Sequence, residues 1–222
     1  MPRRTLLLLL AAPLSAMASP LSAANLIANG SFESPASDAT WAVAPGGSYS
    51  YVSPTPWVAT LRAGPTKPTA LAFPLGAPDG LQIGFTGDDV SPGTLFQNVP
   101  VVLAAGKTYN VSGLVGSRLD YAGSGIIFLA TETGSVLAGS GPISPPPGTF
   151  TAVSFSFSPL ANDSRLGQQL RIVLQRAGGH QANFDDIRLT TTPEPASLIH
   201  ASIGLATLFS RFGPRPRRRK PD

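Results

Sequence analysis

From Leu81 to Gln175, apolar and polar side chains take turns along much of the chain. Leu81, Ile83 and Phe85 lead into Leu95-Phe96-Gln97-Asn98-Val99. Tyr109, Val111 and Val115 alternate with Thr108, Asn110 and Ser112; Val153, Phe155 and Phe157 alternate with serines; Leu170, Ile172 and Leu174 alternate with Gln169, Arg171 and Gln175. A period of two places one set of side chains on one face of a strand, so each segment predicts a strand with a buried and a wetter face. Gly125 to Thr131 is a continuous apolar run and predicts a strand buried on both faces. Strands spaced about ten residues apart, with turn residues between them, predict an antiparallel sandwich or barrel. No stretch from Asn25 to Thr192 carries a helical apolar stripe, and 23 Pro and 23 Gly oppose long helices.

Before these strands, Leu26, Ile27 and Phe32 flank an Asn29-Gly30 turn, and residues 34–78 are rich in Pro, Gly, Ser and Thr, with aromatic islands at Trp41, Tyr49, Tyr51 and Trp57. That stretch predicts short strands joined by long loops. Near the end of the domain, Phe184 and Ile187 are three residues apart and cannot share a face of a regular strand. A bulge at Asp185-Asp186 resolves the mismatch and re-aims one carboxylate.

The two ends differ from the middle. Met1-Pro2-Arg3-Arg4, the apolar Leu6 to Ala12 and the small residues Ser22-Ala23-Ala24 have the layout of a secretory signal peptide over residues 1–24. At the other end, Pro193-Glu194-Pro195 precedes the apolar stretch Ala196 to Phe209 and a basic terminus with Arg211, Arg215, Arg217, Arg218, Arg219 and Lys220. The order suits an apolar helix entering a bilayer and a positive block held at its cytoplasmic surface. The tail, residues 191–222, resembles the PEP-CTERM sorting signal of exported bacterial proteins. The resemblance implies signal peptidase and a membrane-embedded exosortase as partners, a transient inner-membrane anchor, and delivery to the cell surface or the extracellular matrix.

The ends also account for the charge. The chain carries 16 Lys+Arg against 12 Asp+Glu, but from residue 25 to residue 194 there are eight basic and eleven acidic side chains. The basicity is topological, and a nucleic-acid partner is excluded. There are no cysteines, which removes disulfides, thiol nucleophiles and thiolate metal sites. The domain has one histidine, His180, in a Gly-Gly-His loop, and no Gly-x-Ser-x-Gly at a strand–helix turn, so a serine triad and a histidine zinc site lack their parts. Carboxylates at Asp88-Asp89, Asp120 and Asp185-Asp186 are the available acids, and adjacent ones on a strand point to opposite faces.

Residues 25–190 also resemble the galactose-binding-like jelly rolls found among carbohydrate-binding modules. The likeness is carried by Asn29-Gly30-Ser31-Phe32-Glu33, Asp79-Gly80-Leu81-Gln82, Gly106-Lys107-Thr108-Tyr109 and Phe184-Asp185-Asp186-Ile187. It implies that the first and last strands meet and share a structural calcium, with Glu33 and Asp186, or Asp185, as ligands. For polysaccharide the candidates are the aromatics Trp41, Trp57 and Tyr121, whose faces could stack on sugar rings. The expectation is therefore an all-β jelly-roll sandwich between a signal helix and a C-terminal hydrophobic helix. Its expected role is that of an exported, non-catalytic carbohydrate-binding or structural module, with a glycan hydrolase using Asp and Glu as the alternative.

Overall fold

The computed structural model describes residues 23–87 and 93–193, and both expected terminal helices lie outside them. Every regular element among the described residues is a strand. The first six are β1 (Ala42–Ala44), β2 (Gly47–Tyr49), β3 (Val58–Thr60), β4 (Ala63–Pro68), β5 (Ile83–Gly87) and β6 (Thr94–Val102). The others are β7 (Lys107–Ser117), β8 (Gly123–Thr131), β9 (Val136–Gly139), β10 (Thr149–Phe157), β11 (Gln169–Gly179) and β12 (Gln181–Pro193). Seven form one antiparallel sheet in the order β1-β2-β4-β5-β12-β7-β10, and five form the other, β3-β6-β11-β8-β9.

The alternation read from the sequence fills the space between the sheets. Tyr109, Val111 and Val115 of β7 and Phe184, Ile187 and Leu189 of β12 face Leu95 and Val99 of β6, Leu170, Ile172 and Leu174 of β11, and Ile127 and Leu129 of β8. All are at most 1% exposed, so this layer supplies most of the hydrophobic driving force. Tyr109 keeps its hydroxyl satisfied by donating to the Val102 carbonyl and accepting from the Ala104 amide.

The expected bulge is present. Pairing of β12 with β7 shifts register between Asp185 and Arg188, and Asp186 sits at φ 47°, in the left-handed region. The shift returns Ile187 to the core beside Phe184.

The opening segment lies against this last strand. Leu26 N–H donates to the Leu189 carbonyl and Ile187 N–H to the Gly30 carbonyl, while the Asn25 carboxamide oxygen accepts from Ile27 and Leu189 amides. A Cβ on Gly30 would stand 2.2 Å from the Ile187 carbonyl oxygen, so the close approach requires glycine there. On the other side, the Gln97 side chain exchanges two hydrogen bonds with the Ala28 backbone. Contrary to what the apolar run Gly125 to Thr131 predicts, β8 is not buried on both faces. Ile126 and Phe128 point away from the core and are only half-buried.

Candidate functional site

The outward face of the five-stranded sheet is where β8 departs from expectation. Pairing registers place Val58, Phe96, Val173, Phe128 and Gly139 in one row across all five strands. Beside it run Asn98, Arg171, Ala130 and Val136 on one flank, and Thr60, Thr94, Gln175 and Ile126 on the other. Side chains of these rows enclose a groove of about 330 Å³, with Phe96 and Phe128 as its aromatic walls. A groove of that size, mostly apolar with a few polar groups, is what a small-molecule site requires. Gly139 makes room for one wall: a Cβ there would meet Phe128 Cδ1 at 2.8 Å.

One charge enters the groove. The Arg171 guanidinium carbon lies 4.4 Å from the Phe96 ring centroid, and its Nε donates to the Asn98 side-chain oxygen at 2.7 Å. Arg118, Arg165 and Arg188 are each paired with a carboxylate, from Asp120, Asp163 and Asp186. Arg171 is held by an amide and a ring instead, so its charge is not neutralised in place.

A second hollow, about 80 Å³, lies on the seven-stranded sheet beneath Tyr49, Tyr51 and Phe85, whose ring centroids are 5.4–6.2 Å apart. Arg118 closes its base, held by both Asp120 oxygens and by Gln181. Hydrogen bonds from Arg118 hold the Asp120 carboxyl below its ordinary range. The hollow is well below the size that a small-molecule site requires.

Of the acidic residues named from the sequence, Glu33, Asp185 and Asp186 converge near the β12 bulge, Asp120 is held by Arg118 at the second hollow, and Asp88 and Asp89 lie outside the described residues. Asp185 is fully buried; its two oxygens accept from the Asp79 and Asp186 amides at 2.9 and 2.8 Å. Burial pushes its carboxyl up to about 7, the nearby Asp79 and Asp186 charges push the same way, and the two amide bonds offset only part of this. Glu33 Oε1 accepts from the Leu81 and Gln82 amides at 2.8 and 2.7 Å, the Ser31 hydroxyl donates to Asp79, and Asp186 takes a hydrogen bond from Arg188. Glu33, Asp185 and Asp186 thus share a neighbourhood but are occupied by backbone and arginine donors. Among the described residues no three acidic or histidine side chains are placed to hold a metal ion.

The aromatic candidates separate. Trp57 is 2% exposed, packs on Phe32 at 5.1 Å and donates its indole N–H to the Asn29 carbonyl. Trp41 is 7% exposed, so neither tryptophan presents a face to a ligand. Tyr121 is exposed, stacks on His180 at 4.4 Å, and does not line the Phe96 groove. Pro193 ends β12 opposite Lys107, while Glu194 and Pro195 lie outside the described residues. Phe96, Phe128, Val173 and Arg171 were not singled out from the sequence. Their signal is the apolar side chains Phe96, Phe128 and Val173 at positions where the alternation calls for polar ones.

A family model described as HpiC1-like, HpiC1 cyclase, matches residues 23–190. The chain belongs to the HpiC1-like cyclase family. Solved cyclases from Fischerella sp. TAU share the fold of this HpiC1-like chain. The Stig cyclase Fisc, in complex with (3Z)-3-(1-methyl-2-pyrrolidinylidene)-3H-indole, is 20% identical over 78% of this chain and 99% of its own, with a TM-score of 0.64. A cyclase in complex with 4-(1H-indol-3-yl)butan-2-one is 19% identical over 75% and 96%, TM-score 0.61. A further cyclase is 21% identical over 78% and 98%, TM-score 0.62. No curated protein matches the chain.

Membership of a cyclase family overturns the expectation of a non-catalytic carbohydrate-binding or matrix module, and with it the exosortase-sorted surface role and the glycan-hydrolase alternative. The physical reason for the error is in the tryptophans and β8. Trp41 and Trp57, read as sugar platforms, are core, and Ile126 and Phe128, read as buried on both sides of their strand, face outward.

Proposed function

We propose that this HpiC1-like chain is a cyclase whose substrate closes a ring while held between Phe96 and Phe128 on the outer face of the five-stranded sheet. The observation that carries the reading is the row of Val58, Phe96, Val173, Phe128 and Gly139, an apolar trench on a sheet face that would otherwise be polar. The substrate class is a planar, indole-like aromatic with a flexible arm. The indole compounds bound by two Fischerella relatives support it, as does the room between two phenyl rings.

Ring closure within one molecule gains most from being held with its reacting ends together. A fixed geometry of that kind is worth up to roughly 7–11 kcal/mol of barrier. The rings of Phe96 and Phe128 would fix the aromatic portion, and Val173 and Ala130 would form the floor under the folding arm. Arg171 decides what charge can build up there. A cation beside Phe96 gains about 0.5–2 kcal/mol from the ring face, but a guanidinium about 5 Å away opposes it by roughly 3 kcal/mol at an effective dielectric constant near 20. Repulsion wins, so positive charge in the transition state must develop on the Phe128 side.

Binding of 4-(1H-indol-3-yl)butan-2-one, measured by calorimetry, tests the site. Phe96→Ala and Phe128→Ala are each expected to weaken it about tenfold, the loss of one ring contact. Unchanged affinity in both variants would move the site elsewhere.

The fold reading at its finer level is a galactose-binding-like jelly roll, supported by the opening segment lying against the last strand. Calcium belongs to the same reading, as a structural ion at the junction of Glu33, Asp79, Asp185 and Asp186. Hard carboxylate oxygens from three chain segments and a buried carboxyl with no cationic partner suit that ion. Binding would have to draw Glu33 from the Leu81 and Gln82 amides, tying the opening segment to the loop before β5. Melting in 1 mM-scale calcium is expected to lie several degrees above melting in chelator; equal midpoints remove the ion. Export through residues 1–24 remains part of the proposal, and mass spectrometry of the mature chain from fractionated cells tests it.

A further inference from the structure

We infer that Arg171 makes this groove selective for an aromatic substrate bearing a carboxylate, held beside Phe96 by the two guanidinium nitrogens that Asn98 leaves unused. The inference deepens the groove reading and rests on it. Three observations carry it. Arg171 extends along the groove wall from β11, the middle strand of the five-stranded sheet, and lines the cavity together with Phe96, Phe128 and Val173. Its orientation is fixed at two points, by Nε donating to Asn98 and by the guanidinium plane over the Phe96 ring. Both points engage the Nε side and one face, so the Nη1 and Nη2 edge, the half of the fork that matches a carboxylate, makes no hydrogen bond to the described residues.

The surroundings explain why an anion is needed there. The groove lining contains no Asp or Glu, and its other polar members are Thr94 and Gln175, both neutral. Each of the arginines at 118, 165 and 188 has a carboxylate built in from its own chain. Arg171 is half-buried against apolar walls without one among the described residues. A guanidinium pre-set by an amide and a ring, and otherwise uncompensated, is arranged to receive its counter-charge from the bound molecule. A carboxylate at the end of a short arm would reach it while the aromatic portion lies between the two phenyl rings.

Two probes that differ in charge and hardly in shape test this: indole-3-propionate and 4-(1H-indol-3-yl)butan-2-one, which exchange a carboxylate for a methyl ketone. Calorimetry on the purified domain with its natural groove is expected to show the acid binding about tenfold or more tighter than the ketone, the range of a charge-assisted pair of hydrogen bonds. The preference should shrink as salt rises from 50 to 500 mM. In Arg171→Met the acid should fall to the level of the ketone while ketone affinity stays within about twofold, and Arg171→Lys, keeping charge without the fork, should retain part of the preference. Circular dichroism melts of each variant establish that it is folded. Equal binding of acid and ketone to the unsubstituted protein, or a preference that survives Arg171→Met, overturns the assignment and leaves the groove reading standing. Binding of neither probe overturns both.

Discussion

Trp57→Ala is expected to cost the domain about 3–5 kcal/mol, the range for deleting a buried aromatic ring from a packed site. The ring is 2% exposed, tilts against Phe32 at 5.1 Å, and its N–H satisfies the Asn29 carbonyl in the loop that carries Glu33. Removal opens a cavity beside Phe32 and takes away one of the two hydrogen bonds on the Asn29 carbonyl, which then keeps only the Phe32 amide. A domain of this size has a total stability of about 5–15 kcal/mol, so the loss is a large fraction of it. In urea the unfolding midpoint should drop by about 2 M at unchanged slope. A tryptophan that served as a ligand platform would behave in the opposite way, with binding lost and the midpoint kept. A shift under about 0.3 M would show that Trp57 is not the core residue its burial indicates.

The second large effect is a pH dependence of stability centred on Asp185. In the unfolded chain its carboxyl titrates near 3.8, and in the folded domain burial first, then Asp79 and Asp186, raise this to about 7. A raised carboxyl means that the folded state holds the proton more tightly. Its stabilising contribution is complete below pH 4 and lost as pH rises through 7, amounting to at most on the order of 4 kcal/mol. Asp38, Asp120 and Asp163 have carboxyls held low by Thr40, Arg118 and Arg165, so their titration lies below this window and does not mask it. Melting temperatures in chelator should therefore fall between pH 5 and pH 8. Asp185→Asn should flatten that decline at a fixed cost of about 1 kcal/mol for one lost hydrogen bond. The variant is expected to be the less stable protein at pH 5 and the more stable one at pH 8. Parallel curves for the two proteins would show that Asp185 titrates in its ordinary range.

Much of the sandwich was legible because half-buried strands write their inner face into the sequence at every second residue. The alternation of Tyr109 with Thr108 and Asn110, and of Leu170, Ile172 and Leu174 with Gln169, Arg171 and Gln175, survives unchanged as inner and outer faces. The bulge at Asp185-Asp186 was legible for the same reason, since Phe184 and Ile187 could not otherwise both be buried. The groove was not legible. A strand that buries one face in the core and lends the other to a ligand is apolar throughout. Gly125 to Thr131 therefore carries the same pattern as a strand buried on both sides. Only the cross-strand registers show that Phe128 stands beside Val173 and Phe96 on the open face. The tryptophans misled in the complementary way: a Pro- and Gly-rich context suggested exposed loops, but those loops fold inward over the end of the sandwich.

The opening segment that lies along β12 has a consequence for how this domain comes into being. The strand it needs is the last to be made, and that strand also sits in the interior of its sheet, between β5 and β7. Until residue 189 has emerged, residues 25–32 lack their backbone partners on β12 and keep only contacts such as those with Trp57 and Gln97, and the seven-stranded sheet is two pieces with a slot between them. Completion of that sheet must therefore wait for β12 and then join segments up to 164 residues apart, a route that is slow for any polymer and leaves raw sheet edges open to neighbours in the meantime.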